Sequence, residues 1–441
     1  MRKQLLWLPK KILGSFWFVP LVLALAGWGC GLISVAFDQS DYAVRLAKAS
    51  SVWAITVDGG RSLVSTVAGG IVTMASLVFS LTFVALTLMS QQLGPRLIQL
   101  FIRDRFAKLT FGAFSGAFLF CLAVLAVTGT GDKGNFVPIF SMFVVIILAV
   151  ASFCLMIIYI NHIAVSIQAD TLIVRLGGEL INALSRLEIS ASDDPEADDR
   201  RADDFDIADD ETATQTNSLC ATVAGYIAQI DEKSIVGILQ KNDLQGRLLR
   251  RPGHFLTPGM PLLVLNRDIE HRKDELAEKI QDAIIVEQTR SASESGEFEI
   301  NALVEVALRA LSPGLNDSYT ALACIDQLTM ALGDLLKAKL KPRLVCDDHG
   351  KPRLLLYNQN FEHFIDTAFH PIRHAARDNP LVLARLVNSC RLLLENAREP
   401  EWVDSITSHL ESLEETIRNN VSDESDRGHL LSNISRNSGK K

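Results

Sequence analysis

The sequence predicts a mainly α, polytopic membrane protein with four transmembrane helices. A cytoplasmic α+β region follows, holding a small β-barrel-like module and a helical bundle. Three observations carry this reading: four apolar stretches of spanning length, a reversal of charge after residue 168, and turn-rich strand patterning past residue 218.

The spans come first in the chain. Phe16–Phe37 has no charge over 22 residues, and Ser62–Ser90 has none over 29. Leu109–Val127 is apolar apart from hydroxyls, and Phe136–Ile160 is uncharged. Each meets the length of about 20 residues that a helix needs to cross a bilayer. Arg2, Lys3, Lys10 and Lys11 precede the first span, and Arg96, Arg103, Arg105 and Lys108 crowd the link between the second and third. The two other links are poorer in basic residues, so the positive-inside rule predicts a bacterial inner-membrane protein with both termini cytoplasmic. A secretory signal is the competing reading of residues 1–37; the apolar stretch is long for one, and three more spans follow.

The second span carries a ruled row of small and hydroxyl residues: Ser62, Thr66, Gly69, Thr73, Ser76, Ser80, Thr87 and Ser90. The steps fit one seam of a heptad, so these residues share a helix face. Such a face packs against another helix or lines a wet path through several copies. Gly112 and Gly116 of the third span are the expected mate under the packing reading. Under the path reading, Gln91, Gln92, Arg96 and Arg103 form a cytoplasmic mouth that favours anions.

Residues 1–168 hold 12 Lys+Arg and five Asp, a net of +7; the remaining 273 hold 31 Lys+Arg and 46 Asp+Glu, a net of −15. An acidic soluble half argues against a nucleic-acid partner, which needs a clustered basic surface. Seven cysteines without C-x-x-C spacing are expected as free thiols.

Past the 1–168 transmembrane domain, the fourth span is expected to run on as a juxtamembrane helix over 169–187. Residues 188–218 hold twelve acids against Arg200 and Arg201 and read as a flexible linker. They lack the D-x-D-x-D-G pattern of a calcium loop. Residues 219–268 read as the small β module. Within it, the phrase from Pro252 to Leu262 is similar to the hairpin of biotinyl-like barrels, without their carrier lysine. Residues 269–420 read as a helical domain with a short hairpin near 343–357, turning at Asp347–Gly350, and 421–441 as a polar, frayed tail.

Few motifs carry chemistry. Gly129–Gly134 matches G-x-G-x-x-G by letters alone, in a link between spans instead of a strand-to-helix turn. No P-loop, G-x-S-x-G elbow or H-E-x-x-H is present, so no catalytic residue, cofactor or metal is assigned and no enzyme activity is expected. His363, His370 and His374 fall on one helical face only if the helix passes through Pro371, and no acidic residue completes a metal spacing. His162, at the inner end of the fourth span, either switches charge or simply hydrogen-bonds among headgroups. Arg309, Ser312, Pro313, Gly314, Asn316 and Asp317 read as a sharp buried turn, with Asn316 or Asp317 capping the next helix; a ligand or partner contact is the alternative.

Three passages carry a family resemblance: Ser15-Phe-Trp-Phe-Val-Pro20, the run from Phe79-Ser-Leu-Thr82 through Ser90-Gln-Gln-Leu-Gly-Pro-Arg96 to Arg105, and Ala310-Leu-Ser-Pro-Gly-Leu-Asn-Asp317. The chain resembles a family of uncharacterised bacterial predicted membrane proteins grouped as a domain of unknown function. The resemblance implies an inner-membrane location and supplies no activity. Ser318 stands where the family usually has proline, a departure expected to loosen the start of the next helix.

Two functions from different classes remain. One is an oligomeric channel or transport-type protein with the second span lining the path and the cytoplasmic part gating it. The other is a membrane-anchored sensor or scaffold whose cytoplasmic part binds a ligand or protein. The bilayer and further copies of the chain are the expected partners; the identity of any ion or small molecule is not legible.

Overall fold

The computed structural model describes residues 15–40, 56–92, 94, 104–129, 136–189, 205, 207, 217–269, 272–288, 296–337, 343–356 and 360–435. It divides into two compact units, Met1–Thr171 and Leu172–Lys441.

The first unit contains four helices long and apolar enough to cross a membrane: α1 (Phe18–Asp38), α2 (Val57–Gln92), α3 (Arg105–Val127) and α4 (Ile139–Ser166). Helices are the local answer because a lone apolar segment in lipid must satisfy its own backbone. The end of α1 meets the start of α4, the start of α2 meets the end of α3, and the start of α3 meets the end of α4. Successive helices therefore alternate in direction, and α1 runs parallel to α3.

Those two helices touch at the backbone. A methyl group placed on Gly27 would overlap the Gly116 carbonyl, and one on Gly112 would overlap the Leu23 side chain. Gly31 faces Phe120 and Ala123 in the same way. The expected pairing of Gly112 and Gly116 with the second span is thus corrected: their mate is α1. Small residues permit this approach, and in lipid such packing replaces the hydrophobic drive. The core around α3 is completed by Phe114, Phe120, Cys121 and Val124 with Val64, Ile71 and Val78 of α2 and Met142 and Val145 of α4.

The expected continuation of the fourth span does not occur. α4 ends at Ser166, and after Ile167 and Gln168 a new helix, α5 (Ala169–Ile189), begins. Most of the acidic stretch 188–218 lies outside the described residues.

In the second unit, strands β1 (Ser218–Cys220), β2 (Gly225–Ile230), β3 (Gly246–Leu248), β4 (Phe255–Leu256) and β5 (Pro261–Leu265) enclose α6 (Glu232–Lys241) in sequence. Then come α7 (Lys273–Gln281), β6 (Ile284–Glu287), α8 (Glu297–Ala310), α9 (Ser318–Leu335), β7 (Arg343–Cys346) and β8 (Pro352–Leu356). Four helices close the described part: α10 (Phe361–Ala375), α11 (Pro380–Asn396), α12 (Pro400–Asn420) and α13 (Glu424–Ser435).

The strands make two open sheets, ordered β1-β5-β3-β8-β7 and β4-β2-β6, around one core that includes Leu219, Ile227, Leu239, Leu263, Ile280 and Leu354. This changes several expectations. The Pro252–Leu262 phrase is not a hairpin, because β4 pairs with β2 while β5 pairs with β1 and β3. The hairpin near 343–357 belongs to the β module instead of the helical domain, since β8 pairs in parallel with β3. The module also takes in β6, from a stretch that reads by periodicity as helix. The tail contains α13, whose Leu430 is buried.

One buried ion pair holds the returning hairpin. Arg353 Nε donates to Asp347 Oδ2 at 2.8 Å, and Nη1 donates to Asp243 Oδ1 at 2.9 Å and the Leu244 carbonyl at 3.2 Å. Asp347 also accepts from the backbone N–H groups of His349 and Lys351 at the predicted turn. These bonds, the Arg353 one foremost, hold its carboxyl below the usual range.

A second polar junction joins the β module to the helices. His254, in the β3–β4 loop, lies among Arg251, Glu297 of α8 and His363 of α10. Burial, and then the charge of Arg251, pushes its imidazole down to about 4 from 6.5.

Two outcomes follow from this packing. Gly27→Leu forces α1 off α3 and should lower stability by about 1–3 kcal/mol, read as a lower thermal midpoint in detergent. Between pH 6.5 and about 4 the folded state binds fewer protons at His254 than the unfolded chain. The stability it confers is full above pH 6.5 and drains as pH falls toward about 4. His254→Gln should flatten the fall of the unfolding midpoint with acidification.

Candidate functional site

The hydroxyl row of α2 is the principal candidate, and its geometry follows from which face the bundle buries. Val64, Ala68, Ile71, Val78 and Ala85 are buried in the core shared with α3 and α4, Thr82 is buried against Tyr159, and Met89 is buried as well. At about 100° per residue the hydroxyl row lies roughly half a turn away from them. Accordingly Ser62, Thr66, Gly69, Thr73, Ser76, Ser80 and Thr87 are exposed and Ser90 is half-buried. Among the described residues the row packs against no other helix.

The threonines of the row resolve their own protons. Thr66 donates to the Ser62 carbonyl at 2.7 Å, Thr73 to Gly69 at 2.9 Å and Thr87 to Phe83 at 2.9 Å. This back-bonding makes a hydroxyl tolerable in hydrocarbon and leaves its oxygen lone pairs pointing outward. The row itself has no Asp, Glu, Lys or Arg. Of the mouth residues, Gln91 is exposed, while Arg96, Arg103 and the side chain of Gln92 lie outside the described residues.

Sequence reasoning passed over the polar contacts inside the bundle. Thr82, left out of the row, is buried and shares a 2.8 Å hydrogen bond with Tyr159 of α4. Asp104 caps α3 by accepting from the Phe106 N–H, and its other oxygen lies 2.8 Å from His162 Nε2. The His162 ring packs at 4.8 Å from that of Phe106. At the opposite end Asp38 accepts from the Phe140 and Ser141 N–H groups and from the Ser141 hydroxyl, and Ser34 bonds Ser141 at 2.7 Å. The available signal was one aspartate flanking a span at each end, a charge with no cheaper place to go than a helix N-terminus.

The motif of the second unit folds as a turn. Ser312 N–H and its hydroxyl both donate to the Arg309 carbonyl, Asn316 adopts a positive φ of 48°, and Asp317 N–H donates to Ala310 at 2.7 Å. Asp317 then caps α9 by accepting from Thr320 N–H at 3.1 Å and from its hydroxyl at 2.6 Å. Those bonds hold its carboxyl below the usual range. The turn is exposed, not buried: Pro313, Gly314, Asn316 and Asp317 all face outward. α9 begins at Ser318 regardless of the missing proline, and the Ser318 hydroxyl accepts from Asn379 at 2.8 Å. Arg309 pairs back one turn to Glu305 at 4.0 Å.

α10 runs unbroken through Pro371. His370 and His374 become neighbours with rings 4.7 Å apart, while His363 sits by Glu297 at 4.0 Å. Among the described residues no group of three or more His, Cys, Asp or Glu is placed to hold a metal. All seven cysteines are free.

Four apolar helices followed by a mixed unit of strands and helices define a polytopic membrane protein. A family model described as "Predicted membrane protein (DUF2254)" matches residues 14–391, and the chain belongs to that family. It is similar to the Uncharacterized protein Mb1321c of Mycobacterium bovis and the Uncharacterized protein Rv1290c of Mycobacterium tuberculosis. Each is 23% identical over 429 residues, covering 95% of this chain and 79% of the relative. No solved structure matches the chain.

Since the motif works as a capped turn, Asp317→Ala should cost about 1 kcal/mol of stability, and Asp317→Asn should restore most of it. Thermal unfolding of the two variants side by side checks this.

Proposed function

We propose that this protein is an oligomeric channel or transport-type protein of the bacterial inner membrane, with both termini cytoplasmic. Copies of α2 line the path, and the second unit assembles and gates it. The observation behind this is the exposed hydroxyl row: the small face of α3 is already engaged by α1, and among the described residues the row has no mate. A strip of small residues facing lipid packs it poorly, and a ring of copies turns that strip inward. The outward lone pairs of Thr66, Thr73 and Thr87 suit a hydrated lining. Gln91, Gln92, Arg96 and Arg103 would form the cytoplasmic mouth. The reading assigns the protein no bond-making chemistry and no nucleic-acid partner.

A second reading is favoured by Leu315 and Tyr319, 56% and 78% exposed beside the capped turn. Apolar side chains so placed suit a membrane-anchored sensor or scaffold that holds a protein partner.

The two separate in one experiment. Purified protein in nanodiscs is weighed, and ion flux is measured in liposomes for wild type, Ser76→Trp and Ser80→Trp. The channel reading expects an oligomer throughout and most of the flux lost in both variants. A monomer, or normally assembled variants with full flux, would leave the sensor or scaffold reading standing.

A further inference from the structure

The second unit contains a cleft of about 530 Å³ between α10 and α12 that the proposed path does not use. Its walls carry Asp366, His370 and Arg373 from α10 and Ser408, His409 and Ser412 from α12. Residues 169–441 have a net charge of −15, so their surface as a whole repels anions. The cleft departs from that average, its walls setting Arg373 and two histidines against a single acid. His374 and Arg377 stand beside Arg373, and the one acid on the walls, Asp366, already lies 2.8 Å from His409 Nε2.

The donors are held in place. Arg373 Nη1 donates to the Ser412 carbonyl at 3.2 Å and to Thr416 Oγ1 at 2.8 Å, which ties the guanidinium across the two helices. Nη2 lies 3.3 Å from His370 Nδ1. Because an arginine nitrogen only donates, Nδ1 accepts and the His370 proton sits on Nε2. Of the five guanidinium N–H groups, the Nε–H and one on Nη2 remain, and Nε is buried without a hydrogen-bond partner. Ser408 and Ser412, one turn apart, set two hydroxyls on the facing wall.

We propose that this cleft binds a small phosphoryl-type oxyanion. A guanidinium edge, an imidazole N–H and two hydroxyls arrive from two helices and more than one plane, which suits a tetrahedral group. A planar carboxylate would be satisfied by a single guanidinium edge. The imidazoles point the same way. Desolvation, and then the charges of Arg373, His370 and Arg377, pushes His374 below its ordinary value, and burial does the same to His409 against the pull of Asp366. An added anion relieves that crowding around His374 and His409.

The test uses full-length protein in nanodiscs and inorganic phosphate, titrated by calorimetry at constant ionic strength with acetate as the comparison. Saturable binding of phosphate is expected at about pH 7. His370→Gln should weaken it about tenfold. Arg373→Gln also cuts the tie to Thr416, so the Ser408→Ala/Ser412→Ala double variant, which keeps that tie, provides the second measurement and should weaken binding too. Three results would overturn the proposal: no saturable binding to wild type, binding that is unchanged in both His370→Gln and the serine double variant, or acetate binding as tightly as phosphate.

Discussion

The backbone contact of α1 with α3 decides which way every other membrane surface faces. Gly27 and Gly116 bring the two helices so close that the small side of α3 is spent on α1. α2 is then held by its aliphatic row and by two hydrogen bonds, Thr82–Tyr159 and Arg61 to the Thr128 carbonyl. Nothing of the hydroxyl row is needed to keep the bundle together. Its outward orientation is a consequence of glycines on two other helices, not of anything in α2 alone.

Carboxylates finish what the glycines begin. Asp38 at one end and Asp104 at the other are each mostly buried and each satisfied by backbone N–H groups at the start of a helix. A charge at the edge of a bilayer is costly unless it is paired this way. Asp38 joins the first helix to the fourth and Asp104 the third to the fourth, so α4 is pinned at both ends while its middle is held by aliphatic packing.

The spans, the charge reversal, the capped turn and most of the later helices were legible in the sequence because each is a local pattern. Hydropathy marked the spans, and the Asn316-Asp317 pair marked a cap, which the structure gives to Asp317. What was not legible depends on partners distant in the chain. Gly112 and Gly116 advertise a close neighbour without saying which helix it is. Periodicity read 275–289 as one helix because Ile284, Ile285 and Val286 suit either state, and pairing with β2 makes the end of it a strand. The continuity of α10 through Pro371, open in the sequence, is decided by burial of Phe364, Phe369 and Ile372, which outweighs the local cost of proline. The α10–α12 cleft needed the fold itself, because Arg373 and Ser412 are strangers in sequence.

The parallel pairing of β3 with β8 links Gly246–Leu248 to a strand more than a hundred residues later. A nascent or truncated chain that stops before residue 352 therefore leaves one side of β3 as a bare sheet edge. Unpaired edges recruit other strands and aggregate. The second unit is for this reason indivisible between its sheets and its helices: a fragment cut at the tidy-looking boundary near residue 290 carries a sticky edge, and only a fragment that includes the hairpin is a sound starting point for expression.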